Sequence, residues 1–134
     1  MESRSDSGVA EGTIRPCRFV KAGTDEGRVL EADAGEMTLG ISFKGTRRSD
    51  YVDTTAAPGV LANSGEPLSW YTAGSRCQLE IAGTIAFGGL IKSDADGKGV
   101  ASSTDGEIYG ARALADGVSG EVIPVEVITG IRGV

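Results

Sequence analysis

The sequence contains no histidine, and this absence weighs against most enzyme classes. Histidine is the usual proton acceptor at neutral pH and the commonest protein ligand for metals. Cys17 and Cys77 therefore have no imidazole that could generate a thiolate nucleophile. The sequence also lacks the Gly-x-Ser-x-Gly elbow of hydrolases and the Gly-Lys-Ser/Thr loop that binds nucleotide phosphates. We therefore expect a protein that is not an enzyme and that holds neither a metal nor a cofactor.

Long apolar runs and a basic surface are missing as well. No apolar stretch approaches the roughly 18 residues that a membrane span requires, and residues 1–7 are too polar for a signal peptide. The net charge of −6 argues against nucleic-acid binding, which needs basic side chains along the phosphates. The sequence thus predicts a protein made in a cytosol, with neither a membrane nor a nucleic acid as its partner.

The two cysteines and the acidic turns do not form a recognisable site. Cys17 and Cys77 are far apart and lack the spacing of metal ligands. We interpret them as buried, unbridged thiols, with a disulfide as the alternative. Asp94 and Asp96 lie in an Asp-Ala-Asp-Gly segment similar to the start of a calcium loop, but the third spaced ligand and the terminal glutamate are missing. A tight turn is the better interpretation.

The sequence does contain a second copy of itself. Gly12-Thr13-Ile14 recurs 71 residues later as Gly83-Thr84-Ile85. The same offset relates further matches: Lys21 with Lys92, Asp25 with Asp96, Val29 with Val100, and Gly35-Glu36 with Gly106-Glu107. A repeat that holds its register determines the architecture of a chain. Because two copies are too few for a solenoid, we expect both to close around one shared core.

Short apolar segments separated by turns rich in glycine and aspartate predict β-strands. Strands of this length and spacing are typical of a sandwich or barrel. The sequence therefore predicts a mainly β fold, a small β-barrel or sandwich built from two internal repeats, about 12–80 and about 81–134, in a single domain over residues 12–134. One helical turn is conceivable at residues 111–115. The polar, serine-rich residues 1–11 predict a flexible N-terminal arm.

The first copy carries an insertion at about residues 43–63 that the second copy lacks. Long loops in compact domains are usually functional or mobile. This loop places Arg47 and Arg48 close to Tyr51, and arginine and tyrosine are enriched at protein interfaces. A contact loop and a solvated surface loop are equal alternatives. Trp70 and Tyr71 lie in a strand-like segment, which favours packing in a core or subunit interface over a sugar-stacking platform.

Several segments together resemble one known family. They are Gly65-Glu66-Pro67-Leu68, the segment Gln-Leu-Glu-Ile-Ala-Gly-Thr-Ile at 78–85, the glycine-rich segment 88–98 that ends in Asp-Gly-Lys, and the closing Gly120-Glu121-Val122-Ile123. This succession resembles the small capsid cement proteins, or head decoration proteins, of tailed bacteriophages. The resemblance covers roughly residues 12–128. Its motifs are turns and strands, and none of them carries catalytic chemistry.

The resemblance implies a structural virion protein, made in the host cytoplasm, that decorates the outer capsid surface and stabilises the expanded head. Its partner would be the major capsid protein, and it would sit as a homotrimer that bridges coat subunits. We expect contacts with the capsid or between subunits at these residues of the arm, the insertion and the aromatic pair: Glu2, Arg4, Asp6, Arg47, Arg48, Tyr51, Trp70 and Tyr71. The alternatives are another virion β module, at a tail or fibre base, and a carbohydrate-binding module that uses Trp70 and Tyr71.

Overall fold

The computed structural model describes residues 5–45 and 60–133, which form ten strands and, within those ranges, no helix. The mainly β fold predicted from the sequence is confirmed. The strands are β1 (Ser5–Ala10), β2 (Phe19–Ala22), β3 (Arg28–Glu31), β4 (Gly40–Gly45), β5 (Pro67–Tyr71), β6 (Arg76–Glu80), β7 (Leu90–Ser93), β8 (Gly99–Ala101), β9 (Ile108–Ala113) and β10 (Val122–Ile131). The helical turn considered at residues 111–115 is wrong, because residues 111–113 belong to β9.

The ten strands form two sheets of five, which we call the first half (β1–β5) and the second half (β6–β10). The first half is a closed barrel in the order β1-β3-β2-β4-β5, with β5 returning to β1. The β1–β3 pair is parallel, and the other four pairs are antiparallel. The second half is a sheet in the order β6-β10-β9-β7-β8. Closure of the first barrel removes the exposed edges that would otherwise invite aggregation.

Both halves follow one strand plan. Each strand of the first half has the same neighbours as the strand five positions later, except that β6 and β8 are joined by an isolated bridge instead of a ladder. An ion pair also recurs at matching positions, since Lys21 binds Glu36 at 2.9 Å and Lys92 binds Glu107. The sheet boundary corrects one expectation. β6 was assigned to the first copy, which was predicted to end at about residue 80, but it pairs with β10.

The predicted N-terminal arm is wrong over residues 5–10, because these residues form β1. Ser5 to Val9 pair antiparallel with Tyr71 to Pro67, and Val9 and Ala10 pair parallel with β3. A flexible arm could be removed without loss of the fold, whereas removal of residues 1–11 would take a strand out of the barrel. The polar residues of β1 are mostly exposed at its start, which explains why no apolar pattern revealed the strand.

Two buried clusters lie on opposite sides of β2. The smaller one fills the first barrel and includes Ile14, Val20 and Trp70. The larger one fills the second half but also takes in Phe19, Ala32 and Ile41 from the first half. Adjacent strand residues face opposite sides of a sheet, so Phe19 and Val20, both fully buried, enter different clusters. The two halves therefore share one core through Phe19.

Glu107 gives the fold a pH dependence that we expect to be measurable. Its carboxylate binds Lys92 and accepts the backbone N–H groups of Thr104 and Ser103 at 2.8 and 2.9 Å. These bonds, the one from Lys92 foremost, lower the pKa of Glu107 from 4.5 to about 2. Because the folded-state pKa is lowered, this stabilisation is complete above pH 4.5 and is lost as the pH falls towards 2.

The variant Glu107→Gln should therefore unfold at a lower urea concentration than the wild type at neutral pH. The gap between the two proteins should shrink below pH 4.5 and close near pH 2. Urea titrations followed by circular dichroism across this window would measure the gap. A gap that stays constant down to the lowest pH would mean that the carboxylate contributes nothing through its charge.

Candidate functional site

Six of the eight residues predicted from the sequence as contacts belonged to the arm and the insertion. Five of these six lie outside the described residues: Glu2, Arg4, Arg47, Arg48 and Tyr51. Asp6 lies in β1, is exposed, and is paired in register with Trp70 of β5. Its side chain lines a surface cavity of about 360 Å³, which we call the Trp70 cavity. Asp6 is therefore placed at a surface that could accept a partner.

Trp70 and Tyr71 do not form an exposed platform. Trp70 is 5% exposed and belongs to the core of the first barrel. Its ring packs directly on the backbone of Gly8: if residue 8 carried a Cβ atom, that atom would lie 2.9 Å from Cη2 of Trp70. The Tyr71 ring stacks on Phe43, with centroids 4.0 Å apart and planes at 19°. A sugar ring needs an accessible aromatic face, so this arrangement removes the feature on which the carbohydrate-binding alternative depended.

The two halves join where β6 and β8 separate, a gap that we call the seam. Residues 15–19 of the first half, the docking loop, fill it. The Glu80 N–H donates to the Cys17 carbonyl at 2.9 Å, and the Phe19 N–H donates to the Gly97 carbonyl at 2.8 Å. At the matching place in the first half, the Val9 N–H donates to the Gly27 carbonyl at 2.9 Å, so that barrel closes on itself. The second half therefore closes by means of the first.

Arg18 is buried inside this junction and carries a charge that the sequence alone did not flag. The residue is 1% exposed, and its guanidinium donates to the Asp96 carbonyl at 3.0 Å and to Glu80 Oε1 at 3.4 Å. Lys98 also lies 3.4 Å from Glu80. A buried charge is tolerated when it is paired and hydrogen-bonded. The Arg18–Glu80 pair thus fixes how the halves are oriented.

The two thiols lie near the same junction. Cys17 and Cys77 are both partly buried, and no disulfide joins them. Burial, with a smaller contribution from Cys17, raises the pKa of Cys77 to about 12. A thiol with so high a pKa is protonated at neutral pH and is a poor nucleophile or metal ligand. Residues 5–45 and 60–133 also contain no group of three or more potential metal ligands of the His, Cys, Asp or Glu type.

Exposed apolar side chains mark two separate surfaces. Phe87, 71% exposed, projects from the loop before β7, and Val118, 55% exposed, lies in the neighbouring connection between β9 and β10. Met37, 66% exposed, lines a groove with Tyr109 and Ile131 at the far end of β10. Large exposed apolar side chains that cluster at one place are typical of contact surfaces. Neither surface was predicted from the sequence, although the position of Phe87 directly before the Gly88-Gly89 pair was a usable signal.

The Trp70 cavity combines acidic and apolar walls. The turn between β2 and β3 forms one side and contributes Asp25 and Glu26, with Arg28 following at the start of β3, while Leu39, 43% exposed, contributes the apolar wall. The turn is held in place by Glu11, which accepts the Thr24 N–H at 3.1 Å. Hydrogen bonds from Thr24 lower the pKa of Glu11 from its ordinary value. No helix in residues 5–45 or 60–133 is both long and apolar enough to cross a membrane.

Two solved structures share this fold over nearly the whole chain. The N base of the head fibre gp8.5 of bacteriophage phi29 is 13% identical, with 95% of each chain covered and a TM-score of 0.64. A chain of the capsid of Myoviridae phage XM1 is 16% identical, with 94% of this chain and 83% of that chain covered and a TM-score of 0.62. No family model and no curated protein matches the sequence. At these identities the likeness shows a common fold.

Proposed function

We propose that this protein is a structural component of a bacteriophage virion that decorates the outer surface of the capsid. The observation that carries the proposal is the fold, which nearly the whole chain shares with chains from a phage head fibre and a phage capsid. The resemblance of residues 12–128 to head decoration proteins points in the same direction. Its partner is the major capsid protein, and it binds as a homotrimer that bridges coat subunits and stabilises the expanded head.

The physical features of the described residues suit such a role. The two halves form one body, with a shared core and a buried ion pair between them, so a contact on one half is rigidly held relative to a contact on the other. Each contact can be weak, because a trimer that touches several coat subunits multiplies them through effective concentration. Binding to the expanded head but not to its precursor stabilises the expanded state by mass action.

We assign the coat contacts to the arm and the insertion. The candidates from the sequence for contacts with the capsid or between subunits remain Glu2, Arg4, Asp6, Arg47, Arg48 and Tyr51, and Asp6 lies at the start of β1. Arginine and tyrosine provide contact area together with hydrogen bonds. Trp70 and Tyr71 act indirectly, because their packing holds β5 against β1 and β4.

The number of copies per virion tests the proposal directly. Purified particles from the source of this chain should contain it at a level comparable with the major capsid protein. Quantitative mass spectrometry with isotope-labelled peptides of both proteins measures the ratio, and a known internal head protein serves as the control for intact particles. Absence from particles would contradict every virion role.

A second candidate, the base of a head fibre, is favoured by the likeness to the phi29 head-fibre base. A fibre base would also sit on the head, but it would be joined to a fibre. The copy number and the appearance of negatively stained particles separate the two candidates. Fibres that disappear together with this protein would favour the fibre base, whereas smooth heads with a loss of surface density would favour decoration.

A further inference from the structure

The junction between the two halves shows how one module of this fold docks on another. The first half contributes the docking loop, residues 15–19, and the second half contributes the seam and the turn at Asp96 and Gly97. The contact is not symmetric, since the two halves use different surfaces. In such a heterologous contact, the loop-type surface of the second half and the turn-type surface of the first half remain unused. These two surfaces can bind each other between one molecule and the next.

The second half carries the counterpart of the docking loop. β7 begins 71 residues after β2, so Phe87 and Leu90 of the second half are equivalent to Pro16 and Phe19 of the first half. Pro16 is buried in the junction, whereas Phe87 is 71% exposed. Residues 86–89, the exposed loop, are nevertheless well fixed. The Phe87 N–H donates to Asp116 Oδ1 at 2.7 Å, and the Gly88 N–H donates to the Ala113 carbonyl at 2.8 Å. A loop whose backbone is already fixed loses little entropy when it binds through a protruding aromatic side chain.

The first half carries the counterpart of the receiving surface. The turn at Asp25 and Glu26 matches the turn at Asp96 and Gly97, against which Arg18 and Phe19 pack in the junction. In the first half this turn borders the Trp70 cavity, whose volume of about 360 Å³ and exposed Leu39 suit an aromatic side chain. Because Val9 and Gly27 already close the barrel there, a partner would dock through side chains and would not insert backbone.

We infer that the occupant of the Trp70 cavity is a second copy of this chain, which inserts Phe87 from its exposed loop. The exposed loop and the turn at Asp25 and Glu26 lie at the positions of the docking loop and of the turn at Asp96 and Gly97, which bind each other in the junction. Head-to-tail contacts of this kind close into a ring when the rotation permits. The inference deepens the proposed function, on which it rests, because three such contacts would close the homotrimer.

Charge gives the inference a second signature. Asp116 lies beside Phe87, and the cavity is lined by the three carboxylates of Asp6, Asp25 and Glu26 and by one basic side chain, Arg28, so its net charge is negative. Carboxylates on both surfaces repel each other, and dissolved salt screens that repulsion. The association of copies should therefore strengthen as the salt concentration rises, which is opposite to the behaviour of a contact between acidic and basic surfaces.

Three variants test the inference in purified protein at high salt. Phe87→Ser removes the aromatic side chain, and Ala22→Trp fills the cavity from an exposed position at the end of β2. Met37→Ser changes an equally exposed apolar residue on neither surface and serves as the matched control. Sedimentation equilibrium should show the mass of a trimer for the wild type and for Met37→Ser. Phe87→Ser and Ala22→Trp should each weaken association roughly thirtyfold or more, as loss of a central aromatic anchor does.

A mixture of the two defective variants provides the decisive result. Phe87→Ser keeps an open cavity and Ala22→Trp keeps its aromatic side chain, so the mixture should form dimers with one intact contact and nothing larger. Native mass spectrometry resolves these species, and unchanged thermal unfolding of each variant shows that the fold is intact. A wild type that is monomeric at every concentration and salt level, rings that survive Phe87→Ser or Ala22→Trp, or a mixture without dimers would each overturn the inference. Failure here leaves the copy number in particles unaffected, so it is distinguishable from failure of the proposed function.

Discussion

Replacing Glu80 by leucine is expected to lower the free energy of unfolding by about 3–5 kcal/mol. Glu80 pairs with Arg18, which is 1% exposed, and the guanidinium would keep only its bond to the Asp96 carbonyl among the partners described for it. A buried cation that has lost its counter-charge is strongly unfavourable, because water cannot reach it. Urea unfolding followed by circular dichroism, with the slope of each transition checked, measures the loss.

Two further variants isolate the cause. Glu126→Leu removes the ion-pair partner of Arg112, whose side chain is half-exposed. This variant should lower the free energy of unfolding by less than about 1 kcal/mol. The double variant Arg18→Leu/Glu80→Leu removes both buried charges and should recover most of the stability, since apolar pairs replace buried ion pairs well. A double variant as unstable as Glu80→Leu alone would show that lost packing, and not an uncompensated charge, explains the effect.

Replacing Phe19 by alanine is expected to cost about 3–5 kcal/mol, the usual range for a large aromatic side chain removed from a core. Phe19 is fully buried in the larger cluster, with Leu79 and Ile91 of the second half among its members. The Phe19 ring also packs directly on the β9 backbone at Gly110. If residue 110 carried a Cβ atom, that atom would lie 2.8 Å from Cε1 of Phe19. The space left by the missing ring would lie at the junction, and neither half could move in to fill it without displacing the other.

Val20→Ala is the matched control for Phe19→Ala. Val20 is the next residue, is also fully buried, and belongs to the cluster inside the first barrel. Hydrogen exchange should show that Phe19→Ala lowers protection in both halves, whereas Val20→Ala acts mainly on the first. Equal protection patterns in the two variants would contradict a core shared through Phe19.

The turns were the most predictable part of this fold. Gly27 and Gly97 have positive φ angles, as does Gly35, and each lies in a turn that the sequence indicated by glycine close to aspartate or glutamate. A left-handed backbone strongly favours glycine, so the residue type alone reports the local geometry. The strands between these turns followed from their apolar residues. β1 did not, because Ser5, Asp6 and Ser7 are exposed and take their place in the barrel from pairing with β5.

The contacts between the halves could not be read from similarities between the copies. They lie where the copies differ, at Arg18 and Phe19 in one copy and Gly89 and Leu90 in the other. A repeat reports what each module needs in order to fold, whereas the surface between modules needs different residues on its two sides. The buried charge of Arg18 depended on Glu80 and Asp96, which are more than sixty residues away in the sequence and become neighbours through the fold alone.

The seam between β6 and β8 has a consequence for the order of folding during synthesis. The first barrel closes with its own backbone hydrogen bonds, but the second half needs Cys17 and Phe19 to complete its sheet. For these backbone hydrogen bonds, the second half depends on the first half, which the ribosome releases earlier. Contacts so distant in sequence form slowly, and a nascent second half finds its missing edge already presented by a folded neighbour. The early half thus acts as an intramolecular template for the late one.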